Sequence, residues 1–308
     1  MERTMSIRQP KLVDFLLLFL LGGVLGSAFL FTKIGVRTIP SITLVTLRLM
    51  FATIVLCFCM KITKSTFPHS WSVWRYFLLL GIFANILPFS LITWSQIYID
   101  SSLASIFMSL IPLFTAIMAQ FLTRDERLNI KKILGIGLGF LGVCVLISPS
   151  IFSTGLKAEI LPQFACLSAA FFYAFARIQT RKLNAIPALV TSTGVLICAS
   201  TLSIPISLIV DKPWKLHPSF ESLLAVCCLS LFCTAFAYLI IYRLIAEVGA
   251  TFMTTMNYLV PFFGILWGYI FLGEVPRFTS IFAAILVFAG LAVMNQYPKT
   301  DTANVDRN

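Results

Sequence analysis

Apolar residues run along this chain in ten long blocks separated by short breaks that carry charge, proline or polar residues. Each block approaches the roughly 20 residues that carry an α-helix across a hydrocarbon layer about 30 Å thick. Read as transmembrane helices, the blocks cover 12–32, 41–60, 75–97, 102–122, 132–148, 160–177, 187–209, 222–243, 251–272 and 278–296. Connections as short as Ile99-Asp100-Ser101 and Gly273-Glu274-Val275-Pro276 make successive helices antiparallel neighbours. The expected fold is therefore an all-α integral membrane bundle of ten helices.

Composition removes the soluble alternative. Of 308 residues, 59% are hydrophobic and 11% charged, against about 25% charged in a soluble domain. The formal charge of +11 does not indicate a nucleic-acid surface, because the basic residues lie singly or in twos and threes between the blocks. That spacing is the positive-inside pattern. Sixteen of the 23 Lys and Arg residues fall on one side of the expected bundle and six on the other, with Arg48 inside a span. The bias places both termini in the cytoplasm and the chain in the cell (inner) membrane. All eight cysteines, Cys57, Cys59, Cys144, Cys166, Cys198, Cys227, Cys228 and Cys233, fall within apolar segments, where they read as reduced core residues. The first block follows Arg3, Arg8 and Lys11 but outlasts the roughly 7–15 residues of a signal-peptide core, so it reads as a retained helix.

Landmarks recur at half-chain distance. Ile111-Pro112-Leu113-Phe114 in the fourth span corresponds to Val260-Pro261-Phe262-Phe263 in the ninth. Each is followed by a glutamate, Glu126 or Glu274, and sixteen residues further by a glycine, Gly142 or Gly290. The division this implies is a first five-helix repeat over 1–148, a second over 149–297 and a polar cytoplasmic tail over 298–308. Five is odd, so the second repeat enters the membrane from the opposite side. Inverted repeats of this kind belong to transporters whose substrate site lies near the midplane between the halves.

The ordered pieces resemble the EamA family of the drug/metabolite transporter superfamily. In the first half they are Gly26-Ser27-Ala28-Phe29, Lys33-Ile34-Gly35, Pro40 with Arg48 and Ala52, and Leu87-Pro88-Phe89, followed by Trp94-Ser95-Gln96, Ser101 to Ile106 and Pro112-Leu113-Phe114. In the second half they are Tyr242 to Ile245, Val248-Gly249-Ala250, Leu259-Val260-Pro261 and Leu272-Gly273-Glu274. The resemblance implies a 5+5 inverted-repeat fold and metabolite transport by alternating access, often export of amino acids or related compounds. Gln96 departs from it, standing where relatives often carry an acidic residue.

Arg48 is the most unusual position, eight residues after Pro40 and thus about 12 Å along a helix. A charge at that depth costs at least about 2.5–3.5 kcal/mol on insertion scales. It reads either as an anchor for a substrate carboxylate or internal ion pair, or as an arginine snorkelling to a wet cavity. Val195 occupies the equivalent place in the second half. Further substrate-site candidates are the polar residues inside spans: Asn85, Trp94, Gln96, Ser105, Ser109, Tyr173, Tyr238, Thr255 and Asn257. The competing reading is that Ser and Thr glue helices together while Gly22, Gly23, Gly26, Gly135, Gly139 and Gly142 allow close approach. Pro112 and Pro261 are candidate gate hinges, or simple kinks. Lys33 and Arg243 read as interfacial anchors, and Glu126 and Glu274 as caps or local partners of the helices that follow them.

These features favour a secondary transporter whose partners are a small-molecule substrate and the lipid bilayer; a homodimer is allowed. The alternative within transport is an importer of nucleotide-like or sulfonium metabolites such as S-adenosylmethionine, whose base or cation would stack on aromatic rings. An intramembrane enzyme is disfavoured, since His69 and His217 fall in loops on opposite sides and the spans hold no carboxylate pair for acid and base chemistry. The sequence shows no catalytic constellation, cofactor motif or metal-ligand set, and Gly135-Ile136-Gly137-Leu138-Gly139 lacks the ending of a phosphate loop.

Overall fold

The structure, a computed structural model, describes residues 8–123, 128–152, 158–249 and 252–294; Glu126, Thr251 and the 298–308 tail lie outside these. The described residues are helical and include no strand. Helix α1 spans Leu12–Gly35, α2 Ser41–Ile62, α3 Trp71–Ser95, α4 Ser101–Leu122, α5 Ile130–Phe152 and α7 Ala188–Val210, with α6 at Ile160–Thr180 between them. Helix α8 runs in three pieces, Phe220–Ser230, Leu231–Phe236 and Ala237–Val248. A 3₁₀ turn at Phe252–Thr255 leads into α9 at Met256–Leu272, and α10 covers Phe278–Met294. Among the described residues nine helices are long and apolar enough to cross a membrane; α10, the expected tenth span, is a shorter apolar helix.

Burial is arranged for a lipid solvent. Phe121, Phe152 and Phe278 are each more than 80% exposed, whereas Arg48, Asn85, Ser95, Gln96 and Ser105 are buried. Polar side chains turn inward because hydrocarbon offers them no partner. Helix α5 extends four residues past its expected end, through Pro149. The proline deletes one backbone donor, and the Ser148 hydroxyl bonds back to the Val145 carbonyl oxygen at 2.8 Å.

Helices α3 and α8 share a further irregularity, a π-helical turn in mid-course, at Ile82–Ile86 and Leu231–Phe236. In α3 the turn comes just before Pro88, whose ring would otherwise press on a carbonyl one turn earlier. Each wide turn is braced by the same bond, from a side chain to the carbonyl five residues back. The Asn85 amide donates to Leu80 at 3.3 Å, and the Thr234 hydroxyl to Leu229 at 2.9 Å.

Packing between the first five and last five helices is reciprocal. Helix α1 lies against α8 and α9 as α6 lies against α3 and α4, while α2 pairs with α7 and α5 with α10. The α5–α10 contact depends on glycine. A Cβ on Gly290 would sit 2.5 Å from the Gly135 carbonyl oxygen, and one on Gly135 would meet the Gly290 oxygen at the same distance. Small residues here let two backbones touch, which is how helices associate when both are already in an apolar solvent. Gly290→Leu should separate the pair and cost about 1–3 kcal/mol of stability, the usual penalty of overpacking. Gly137, around which a Cβ meets nothing within 4 Å, supplies the control: Gly137→Ala should match or exceed the parent in a thermal unfolding series in detergent.

Candidate functional site

The site begins at Arg48, two turns into α2 and 8% exposed. Its Nε donates to the Thr234 hydroxyl at 3.0 Å, and its guanidinium carbon lies 3.9 Å from the centre of the Phe89 ring. Both partners are set by the π turns: Thr234 lies within that of α8, and Phe89 follows that of α3. Because the Thr234 proton is already given to Leu229, its oxygen is free to accept from Arg48. A hydrogen bond from a charged group contributes about 1.5–3 kcal/mol, and a desolvated cation–π contact about 2 kcal/mol. Together these hold the guanidinium but do not neutralise it. No carboxylate pairs with Arg48, and its terminal nitrogens make no hydrogen bond among the described residues.

Those nitrogens face a chamber of about 240 Å³, whose wall includes Arg48, Phe89, Thr93, Tyr173, Thr234 and Tyr238. The Tyr173 hydroxyl also has no hydrogen-bond partner among the described residues. A second cavity of about 540 Å³ shares Leu25, Met108, Ile111, Ile241 and Val260 with the chamber, so the two form one path. This vestibule is walled by Ser109 on α4, Arg177 and Arg181 at the end of α6, and Asn257 and Pro261 on α9. It opens on the side where α1 begins and α6 ends.

The opposite end is sealed by hydrogen bonds. Lys33 Nζ donates to the carbonyl oxygens of Gln96 and Ile99 at 2.8 and 2.7 Å, and Gln96 Nε2 donates to Phe29 at 3.0 Å. Glu274 closes the seam beside them. Its carboxylate accepts from Ser101 N at 2.9 Å, Ser101 Oγ at 2.8 Å and Ser102 N at 3.1 Å. The sequence led us to expect a local cap, but Glu274 caps α4, far away in the chain, because a helix N-terminus with orphan N–H groups offers a carboxylate more than a loop does. Arg277 adds an ion pair to Glu159 at 3.0 Å, which raises the pKa of its guanidinium. Burial, followed by the nearby charge of Glu274, pushes the Asp100 carboxyl up.

The sequence candidates divide into three groups. Arg48, Tyr173 and Tyr238 meet in the chamber, and Ser109, Asn257 and Pro261 line the vestibule. Asn85, Trp94, Gln96, Ser105, Thr255 and Pro112 stand outside both walls. Asn85 braces its π turn, Gln96 ties α3 to α1, Trp94 packs edge-on to Tyr98, and Ser105 bonds to the Ser102 carbonyl beside Gly264. Pro112 starts the second part of α4, and Thr255 closes the turn before α9. Lys33 is not a free interfacial anchor, since it caps the end of α3; Arg243 pairs with Glu247 at 2.9 Å. Sequence reasoning missed Phe89, Thr93, Arg177 and Thr234. For Arg177 a signal existed: Tyr173, Arg177 and Arg181 recur every four residues and so share one face of a helix.

Comparison with known proteins decides what kind of bundle this is. The sequence pattern of the EamA-like transporter family matches residues 14–148 and again 161–296. The chain belongs to the EamA-like transporter family. It is thus a multi-pass membrane protein, and the family points to transport rather than catalysis. Similar proteins include an uncharacterized transporter of Archaeoglobus fulgidus, 26% identical over 87% of this chain and 94% of that one. The uncharacterized transporter YoaV of Bacillus subtilis is 18% identical over 86% and 91%. A protein of known crystal structure shares the fold, with a TM-score of 0.63 at 17% identity over 92% of this chain and 97% of that one.

An EamA-like chain that buries an arginine with no counter-ion among the described residues gives up stability for it. Arg48→Met should therefore raise the unfolding free energy by about 1–4 kcal/mol, as replacement of buried charge by packed apolar side chains often does. Thermal unfolding in detergent reads this directly. A fall in stability would show that Arg48 is already compensated within the protein.

Proposed function

We propose that this protein is a secondary transporter that moves small polar metabolites bearing a carboxylate, such as amino acids or related compounds, by alternating access. The observation that carries the reading is Arg48: a cradled guanidinium with no counter-ion among the described residues, in the wall of a chamber that adjoins the vestibule. A solute carboxylate supplies the missing acceptors, and leaving restores the cost, which favours binding strong enough to enter and weak enough to release.

Several features support the alternating-access part. The landmarks that recur in sequence, the double family match, the paired π turns and the reciprocal packing of α1 with α6 all describe two exchangeable halves. In an inverted pair, opening one mouth and closing the other are the same motion performed by opposite halves. The positive-inside bias makes the open mouth the cytoplasmic one, the side from which an exporter loads. Pro261, in the vestibule wall, suits a moving segment. The sulfonium alternative is less well served, because the Phe89 face that would hold such a cation already holds Arg48.

Two measurements test this. Vesicles containing the purified chain, loaded with labelled amino acids, nucleosides or S-adenosylmethionine, should release amino acids faster than empty vesicles, and Arg48→Gln should abolish that release. Failure of every solute to cross with folded protein present would reject the transporter. The seal should also be breakable: in a chain freed of its native cysteines and carrying Thr93→Cys, Glu274→Gln should increase labelling by a membrane-impermeant thiol reagent added from the sealed side. Unchanged labelling would remove Glu274 from the gate.

A further inference from the structure

Helix α6 carries one face that the single-carboxylate reading leaves unused. Tyr173, Arg177, Thr180, Arg181 and Asn184 recur at three- and four-residue intervals, so they form a stripe running from the chamber to the mouth. Arg177 follows Tyr173 by one turn, about 6 Å along the helix axis. It is an exposed residue that lines the vestibule, and it has neither a hydrogen bond nor an ion pair among the described residues. An arginine that merely anchors the bundle would extend toward lipid headgroups, whereas this one borders the path. Facing it across the vestibule, Asn257 on α9 also makes no hydrogen bond among the described residues, and Ser109 on α4 lies nearby. Neither cavity has an aspartate or glutamate in its described wall. The path therefore holds two unneutralised guanidinium groups in series, Arg48 at the blind end and Arg177 toward the mouth.

We propose that the transported solute is an organic dianion, with one anionic group on Arg48 and the other on Arg177. This rests on the transport reading and narrows it. A zwitterionic amino acid would satisfy Arg48 but set its ammonium group in a positive field with no carboxylate to receive it. A dicarboxylate or phosphorylated acid satisfies both ends. The C-terminal dipole of α6 helps to keep Arg177 charged and in place, and the five donors of each guanidinium suit the planar carboxylate or the phosphate oxygens.

The test varies the number of anionic groups. Succinate, its half-amide succinamate and its diamide succinamide carry two, one and no negative charges on nearly the same skeleton; 3-phosphoglycerate and glycerate form a second pair that differs by the second anionic group itself. Affinity for the full-length protein in detergent, from ligand-induced shifts in thermal unfolding, should favour the dianion in at least one pair by about tenfold or more, the scale of a charged hydrogen bond. Arg177→Gln should erase that preference, and Arg177→Lys should keep part of it. If neither dianion is preferred in the parent protein, the inference is overturned, whatever the variants do. If the preference survives Arg177→Gln, the second subsite is misplaced and the inference is likewise overturned. Amino-acid release from vesicles with no dianion preference would sink this proposal while sparing the transporter reading, whereas no flux of any solute, dianions included, would sink the transporter reading itself.

Discussion

Hydrocarbon supplies no hydrogen bonds, so every polar group carried into the bundle needs a partner there or a water-filled space beside it. Most of the buried polar side chains obey by turning on the backbone. Gln96 donates to Phe29, Lys33 to the end of α3, Asn85 to Leu80 and Ser105 to Ser102. These bonds bind helices or brace turns, although the side-chain oxygens of Asn85 and Gln96 keep no partner among the described residues. Arg48 differs in carrying a charge for which the described residues supply only part of what it needs. One hydrogen bond and one ring face leave most of its donors facing a cavity, and that incomplete satisfaction turns a cost of folding into an attraction for anions.

The two π turns explain how the cradle is built. Thr234 stands in one wide turn and Phe89 just after the other, and both meet the same guanidinium. An extra residue per turn shifts the following segment around the axis. In α3 the cause is written locally, since Pro88 needs room behind it; in α8 no proline follows, and the Thr234 bond to Leu229 braces the same geometry. The equivalent irregularity in the third helix of each five has thus been put to different uses, one offering a ring and the other a hydroxyl. Both contributions converge on one charge, Arg48 on α2.

The sealed and open ends of the path rest on different physics. Ion pairs, helix caps and buried amides close the far end, where Glu274 reaches across from the second half to the first turn of α4. At the open end, Arg177 borders the vestibule. Each of the charge-assisted hydrogen bonds that close the far end contributes only about 1.5–3 kcal/mol.

Apolar block length by itself determined the membrane, the ten-helix count and the approximate spans, because a bilayer of fixed thickness demands a nearly fixed number of apolar residues. The burial of Arg48 was equally legible, because an arginine in the middle of an apolar span must be carried into the bundle with it. Which polar residues reach the path was not. Ser105 and Ser109 share a face of a helix by spacing, yet the break in α4 places Ser109 in the vestibule and packs Ser105 against Gly264. Gln96 and Tyr173 are both polar residues of the spans, and only the tertiary structure gives one a bond to the Phe29 carbonyl on α1 and places the other in the chamber wall. Glu274 was read as a local cap and proved to be a latch between halves. Sequence spacing reports neighbours along one helix; whether the far side of that helix meets backbone, ring or open space is a property of the helices packed against it, and tertiary structure alone decides it.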